Sequence, residues 1–186
     1  MNENQFLHLP AIIQGCREGN EKCWELLYKS YYGYVMSIAL RYLSRKQLAE
    51  EAVNDSFLKV FNHINNYDTV KSFKTWIGQI TVNTCIDLLR KENRFLRADN
   101  DQLPAYSVNE TVTGKLNYAS ILKGLDKLPM FQRLVFNMYE IEGYSHAEIS
   151  EKLDIPESSS RTYLTRAKKK LQIYYQELIK EKNARL

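Results

Sequence analysis

Apolar residues recur along this chain at three- and four-residue spacing, and nowhere do they alternate as a half-buried strand requires. Leu9 to Gly15 is a short apolar segment of one or two helical turns. Asn20 is placed to cap a helix starting at Glu21, whose inner side is Trp24, Leu27, Tyr31, Val35, Ile38 and Tyr42. Gly33 interrupts that stripe and is expected to kink or break the helix. Ser44 to Gln47 reads as a capping box for a long helix ending near His63, buried along Val53, Phe57, Val60 and Ile64. Its outer face shows Glu50, Glu51, Asn54 and Asp55.

Ile64 to Lys71 (INNYDTVK) has the amides, aspartate and tyrosine of a loop. Ser72 then caps a helix running to about Asn93, which packs through Phe73, Trp76, Ile77, Ile80, Thr84 and Leu88. Lys74, Gln79, Asn83, Asp87, Arg90 and Lys91 stay polar, and Asn83 and Asp87 are spaced to bond each other across one turn. From Leu96 to Gly114 the periodicity fails, so residues 96–114 read as a polar, flexible linker. Helical spacing resumes near Lys115 with Tyr118, Ile121, Leu122 and Leu125. After Leu128-Pro129 a further helix carries Phe131, Leu134, Val135, Met138 and Tyr139 and stops at Gly143.

Tyr144 to Leu171 forms two short helices joined by a tight turn. Ser145 stands three residues ahead of Glu148, a capping box worth about 1 kcal/mol. Ile149 and Leu153 give one apolar turn, and Asp154-Ile155-Pro156 separates it from a second helix buried along Ser160, Leu164, Ala167 and Leu171. Ser158, Thr162, Thr165 and Lys169 lie opposite that stripe, with Ser159, Arg161 and Arg166 on its shoulders. Hydroxyls serve donor or acceptor base edges, and arginine pairs bidentately with guanine or holds a phosphate. The pattern suits a helix entering the DNA major groove, although an ordinary solvated basic helix shows much of it too. The fold class is therefore all-α: two small helical domains, 1–95 and 115–186, joined by the linker, the C-terminal one a helix-turn-helix.

Charge sharpens this reading. The net charge of the 186 residues is only +4. Residues 161–186 nevertheless carry eight basic side chains against two acidic ones, whereas residues 140–157 carry six acidic against one basic. Such a directed field favours nucleic acid as a partner over a generally adhesive basic surface. Cys16, Cys23 and Cys85 are odd in number and without metal-ligand spacing, which speaks against a disulfide framework or a zinc site. Scattered His8, His63 and His146, without a nucleotide-binding loop or hydrolase motif, leave no catalytic constellation and no cofactor to assign. Met1 to Pro10 lacks a basic start and an apolar run, and Ser30–Leu40 and Thr75–Ile86 are too short to span a bilayer. The expectation is a cytoplasmic protein without membrane insertion.

CWELLYKSYYGYVMSIALRYL, LAEEAVNDSFLKVF and SFKTWIGQITVNTCIDLLRK, followed by LPMFQRLVFNMYEIEGYSHAEISEKLDIPESSSRTYLTRAKKKL, resemble the extracytoplasmic-function group of bacterial sigma factors, the smallest members of the sigma-70 family. The first blocks are similar to its core-binding and promoter-melting domain, the last to its minus-thirty-five-reading domain. The resemblance implies a non-enzymatic specificity subunit with core RNA polymerase and promoter DNA as partners, and allows an anti-sigma factor as a third. It places Glu50, Glu51, Asn54 and Asp55 on the polymerase, where an acidic face suits a basic protein and not phosphate. It places Asn65, Asn66, Tyr67, Asp68, Lys74, Asn83, Arg90 and Lys91 on the melting region, where aromatic faces and amides hold an unstacked base. Ser158, Ser159, Arg161, Thr162, Thr165 and Arg166 fall on the upstream element. The chain departs from the family pattern at Leu48, Gly78, Gln79, Val82, Ser160 and Tyr163; Ser160 is expected to loosen packing slightly, and Tyr163 to pack instead of binding phosphate. The competing class is a helix-turn-helix transcription regulator that binds DNA without being a polymerase subunit; an enzyme or a helical adaptor fits less of the pattern.

Overall fold

The computed structural model describes residues 9–95 and 118–183; the proposed linker and the start of the second domain at 115–117 lie outside them. Every regular element among the described residues is helical. The chain divides into two compact units, Met1–Phe95 and Leu96–Leu186.

The first unit contains α1 (Leu9–Arg17), α2 (Glu21–Tyr42), α3 (Lys46–His63), a 3₁₀ turn (Ile64–Asn66) and α4 (Phe73–Phe95). Helices α2, α3 and α4 pack against one another in pairs, and α1 lies along α2. Small residues let α3 approach closely: Ala49, Ala52 and Ser56 are completely buried on one face. Leu27, Val35 and Ile38 of α2, Val53 and Val60 of α3, and Phe73 and Ile77 of α4 fill the space between, each contributing roughly 1.5–3 kcal/mol. Buried hydroxyls are satisfied within their own helices, Ser56 donating to the Ala52 carbonyl at 2.6 Å and Thr81 to that of Ile77 at 2.8 Å.

Two sequence expectations fail in this unit for local reasons. Helix α2 runs unbroken through Gly33. The roughly 1 kcal/mol propensity cost of one glycine is small beside a buried stripe that continues on both sides of it. Its start is as expected, the Asn20 side chain accepting from the amides of Lys22 and Cys23. The N-cap of α3 is Arg45 and not Ser44, and Arg45 makes no side-chain cap bond but reaches Glu92 of α4.

The second unit contains α5 (Tyr118–Asp126), α6 (Met130–Phe136), a π-helical turn (Asn137–Ile141), α7 (His146–Leu153) and α8 (Glu157–Asn183). Helix α8 is the spine against which α5, α6 and α7 each pack. Leu125 and Leu128 meet Ala167 and Leu171, with Leu122, Phe136 and Tyr175 closing over them. Gly124 lets the Tyr175 ring lie close, since a Cβ there would come within 2.7 Å of the Tyr175 hydroxyl. Arg133 is buried and anchored by Asp126; burial pulls its pKa below the ordinary value, against the pull of that carboxylate. The π turn replaces the last α-helical turn expected before Gly143, and Gly143 ends it at φ +79°.

Candidate nucleic-acid and protein interfaces

The helix-turn-helix of the second unit is set at both ends by local bonds. The Ser145 hydroxyl accepts from the Glu148 amide at 3.2 Å, and the Ser145 amide donates back to the Glu148 carboxylate at 2.8 Å, so the expected capping box is complete. The Ser145 amide, and its hydroxyl donating to the same carboxylate oxygen at 2.8 Å, hold the Glu148 carboxyl below its usual pKa. Helix α7 ends where Asp154 turns left-handed at φ 54°, ψ 51°. Ser150 then closes the turn, its hydroxyl donating to the Ile155 carbonyl at 2.6 Å. Pro156 precedes α8 and interrupts no helix bond; its carbonyl accepts the Ser160 amide at 3.1 Å. Ser160, Leu164, Ala167 and Leu171 are buried, as the spacing of the stripe predicts.

That burial turns the other face of α8 outward. Ser158, Arg161, Thr162, Thr165 and Arg166 are exposed and Ser159 is half-buried. The structure thus brings all six upstream-element candidates onto the first turns of one helix. Thr162 donates to the Ser158 carbonyl at 2.9 Å and Thr165 to the Arg161 carbonyl at 3.0 Å, leaving hydroxyl lone pairs to accept from a base amino group. Arg161 rests on Glu157 at 2.9 Å, an exposed pair that a phosphate or guanine edge can displace at little cost. Tyr163 packs on Phe131, ring centroids 5.6 Å apart. Acidic residues ahead of the helix are partly consumed inside the unit: Glu140 pairs with Lys168 at 2.7 Å, Glu157 with Arg161, and Glu148 caps α7.

The melting-region candidates separate into three places. Asn65 and Asn66 on the 3₁₀ turn and Asp68 on the loop that follows it are exposed. Tyr67 is not: it is 5% exposed, its hydroxyl donates to the Lys71 carbonyl, and its ring lies against Phe73 and Trp76 at 5.2 and 5.0 Å. A ring so enclosed offers no face to a base, so Tyr67 holds the loop and is withdrawn as a base-stacking residue. Burial raises its pKa, with Asp68 adding to the rise. Lys74 lies over the Tyr34 ring, 4.9 Å from the centroid. Asn83 stands about two and a half helical turns further along α4, on the opposite side from Lys74. Arg90, seven residues beyond Asn83, shares its side, and both are exposed, as is the neighbouring Lys91. Asp87 pairs with Lys59 of α3 at 3.2 Å and with Arg90 at 3.9 Å.

Sequence reasoning missed the residue that fastens this loop. Arg17, from the last turn of α1, donates to the Tyr67 carbonyl at 2.6 Å and to the Ile64 carbonyl at 3.3 Å. Contact 50 residues away along the chain leaves no local signal. The protein-binding candidates do form one surface: Glu50, Glu51 and Asn54 are exposed, Asp55 is half-buried, and Glu50 pairs loosely with Lys46 at 3.6 Å. That face continues into Leu58 and Phe61, 60% and 46% exposed, with Phe61 stacked on Trp24 at 3.5 Å. Both fall off the inner stripe of α3, which is the signal that could have shown them.

Comparison with known proteins agrees with this division. Residues 27–95 match the family model of sigma-70 region 2, and residues 118–171 match that of sigma-70 region 4. The chain belongs to the extracytoplasmic-function group of the sigma-70 family. It is 26% identical over 185 residues to the ECF RNA polymerase sigma-E factor of Haemophilus influenzae, covering 91% of this chain and 96% of the relative. To the ECF sigma factor SigM of Bacillus subtilis it is 26% identical over 152 residues, covering 80% and 93%. It shares the fold of the sigma factor RpoE of Bartonella quintana, solved in complex with the anti-sigma factor NepR, with a TM-score of 0.58, 18% identity and coverage of 83% and 98%. Region 2 thus spans most of α2 with α3 and α4, whereas α1 and its Arg17 staple lie outside the match. Region 4 runs from α5 to Leu171 of α8 and includes the whole helix-turn-helix. Among the described residues no helix is long and apolar enough to cross a membrane.

Proposed function

We propose that this sigma factor is a non-catalytic subunit of bacterial RNA polymerase, working in the cytoplasm, that selects promoters through two DNA elements. The observation that carries the reading is the pairing of two differently charged surfaces in one family member. One is an acidic and apolar face on α3; the other is a turn of hydroxyls and arginines on α8. An acidic face repels phosphate and suits a basic protein surface, so α3 is assigned to core polymerase through Glu50, Glu51, Asn54 and Asp55. The reader helix takes the minus-thirty-five element in the major groove through Ser158, Ser159, Arg161, Thr162, Thr165 and Arg166.

At the minus-ten element the exposed Asn65, Asn66 and Asp68 hold an unstacked base by its hydrogen-bonding edge, while Tyr67 fixes the loop that carries them. Asn83, Arg90 and Lys91 follow the strand along one part of α4, and Lys74 meets it separately. An anti-sigma protein is the further partner this reading admits, as NepR is for the Bartonella relative.

Transcription by core polymerase supplied with the purified chain, across a random promoter library, tests the whole reading. RNA synthesis from a defined subset of templates is expected. A folded chain that never starts synthesis, or one that binds duplex strongly alone and ignores core polymerase, overturns it in favour of a separate regulator. Glu51→Lys with Asp55→Lys tests the docking face: capture of core polymerase should fall while contacts of the reader helix persist. Undiminished capture would move the docking face elsewhere.

A further inference from the structure

Between α7 and α8 lies a polar contact that the reader-helix assignment does not use. His146, the first residue of α7, places Nδ1 2.8 Å from the hydroxyl of Ser160, on the first turn of α8. Ser160 is completely buried. The imidazole also stacks on the Tyr139 ring, centroids 4.5 Å apart at an interplanar angle of 25°. Tyr139 belongs to the π turn, which the Glu142 amide closes onto the Asn137 carbonyl at 3.0 Å.

We propose that His146 is a positioning residue for the reader helix, fixing through Ser160 the roll of the α8 turn that carries Ser158, Ser159, Arg161 and Thr162. The proposal rests on the promoter-reading role given to this unit above. Apolar contacts between the two helices, such as those of Ile149 and Leu164, resist separation but have little directional preference. A hydrogen bond weakens steeply with misalignment, so it resists rotation as well. Ser160 lies between two of the DNA-facing candidates, and any roll of its turn moves their side chains together. Ser160 is thus neither a loose fit nor a packing defect. Its hydroxyl, buried without another described partner, donates to Nδ1 and leaves the ring proton on Nε2. Burial and the neighbouring Arg161 guanidinium push the His146 pKa down against the pull of Glu157, which keeps the ring neutral and Nδ1 able to accept.

The test uses the full chain assembled with core polymerase, on a promoter selected by that holoenzyme and on the same duplex with its upstream element scrambled. His146→Phe keeps a ring for Tyr139 and removes Nδ1; Ser160→Ala removes the hydroxyl. Each single change is expected to reduce the preference for the intact element about five- to tenfold, the scale of one hydrogen bond, and the double change no further. Nitrogen NMR of His146 in the full chain should show the Nε2–H tautomer, with Ser160→Ala releasing it to a mixture. Additive losses, an unchanged preference, or a proton on Nδ1 in the wild type overturn the proposal. Should a variant fail to fold, the wild-type tautomer decides alone. A wild-type holoenzyme with no preference for the intact element overturns the promoter-reading role, and this proposal with it.

Discussion

The two regions of this sigma factor proposed to face DNA are built by opposite means. The candidates for the upstream element stand on a helix, and the rigidity of α8 comes from its buried stripe and the bonds at the turn before it. The candidates for the melted strand include Asn65, Asn66 and Asp68 on a 3₁₀ turn and the loop after it, where short-range bonds such as that of the Val70 amide to the Asp68 carboxylate are joined by Arg17, Tyr67, Phe73 and Trp76. A duplex presents a repeating groove that a helix fits as a preformed rod. An unstacked base needs exposed amides at a bend, and a bend has no hydrogen-bond ladder to hold it. The difference teaches where support must come from: along the element itself in region 4, and from distant parts of the chain in region 2.

The sharpest way to break the comparison is to remove the loop's support. Tyr67→Ala deletes a buried ring from the aromatic cluster and is expected to cost about 3–5 kcal/mol of stability in the first unit. Tyr67→Phe keeps the ring and loses only the bond to the Lys71 carbonyl, about 1 kcal/mol. Thermal unfolding of the full chain measures both. If Tyr67 instead acted by stacking on a base, the alanine variant would fold normally and fail only in promoter opening.

What was legible in the sequence follows the same contrast. In region 4 the capping box at Ser145 and the stripe from Ser160 to Leu171 are short-range patterns, and they orient every upstream-element candidate without further information. In region 2 the pattern of α3 showed Glu50, Glu51, Asn54 and Asp55 facing outward for the same reason. Tyr67 was misread because its burial depends on Phe73, Trp76 and the reach of Arg17, none of which alters the local polarity of INNYDTVK. Gly33 was misread in the opposite sense, since propensity spoke against a helix that tertiary packing supports. The Ser44 box failed because the helix begins one residue later, at Lys46, with Arg45 as its cap. Lys74 and Asn83 were grouped as polar residues of one helix, yet the helical period sets them on opposite sides.

A smaller effect sharpens the other half of the comparison. Arg161 and Arg166 are exposed and lie outside the buried stripe of α8, so their loss should leave unfolding unchanged and weaken upstream-element binding alone. Loss of a phosphate contact should flatten the salt dependence of binding by about 0.9 in slope, whereas loss of a guanine pairing should cost roughly 1–3 kcal/mol at one base position. Competition binding of holoenzyme with Arg161→Ala and Arg166→Ala, across a salt series and single-base variants, separates the two roles. Normal binding by the double variant would remove the reader helix from α8.

The smallest expected effect concerns acid. The Ser145 amide and hydroxyl both donate to the Glu148 carboxylate and favour its ionised form, so its folded-state pKa lies below the unfolded one. The stabilisation it brings to the start of α7 is therefore fully present above the unfolded pKa and is lost as pH falls through the lowered folded value. Acidification below the ordinary carboxylate range should loosen the α7 N-terminus, seen as faster amide exchange at the residues that follow the cap. Ser145→Ala should weaken that pH dependence without abolishing it, because the backbone amide still donates to the carboxylate, and should expose the Glu148 amide already at neutral pH. An α7 N-terminus that exchanges no faster in acid, with or without the Ser145 hydroxyl, would mean that region 4 is held by contacts from farther along the chain.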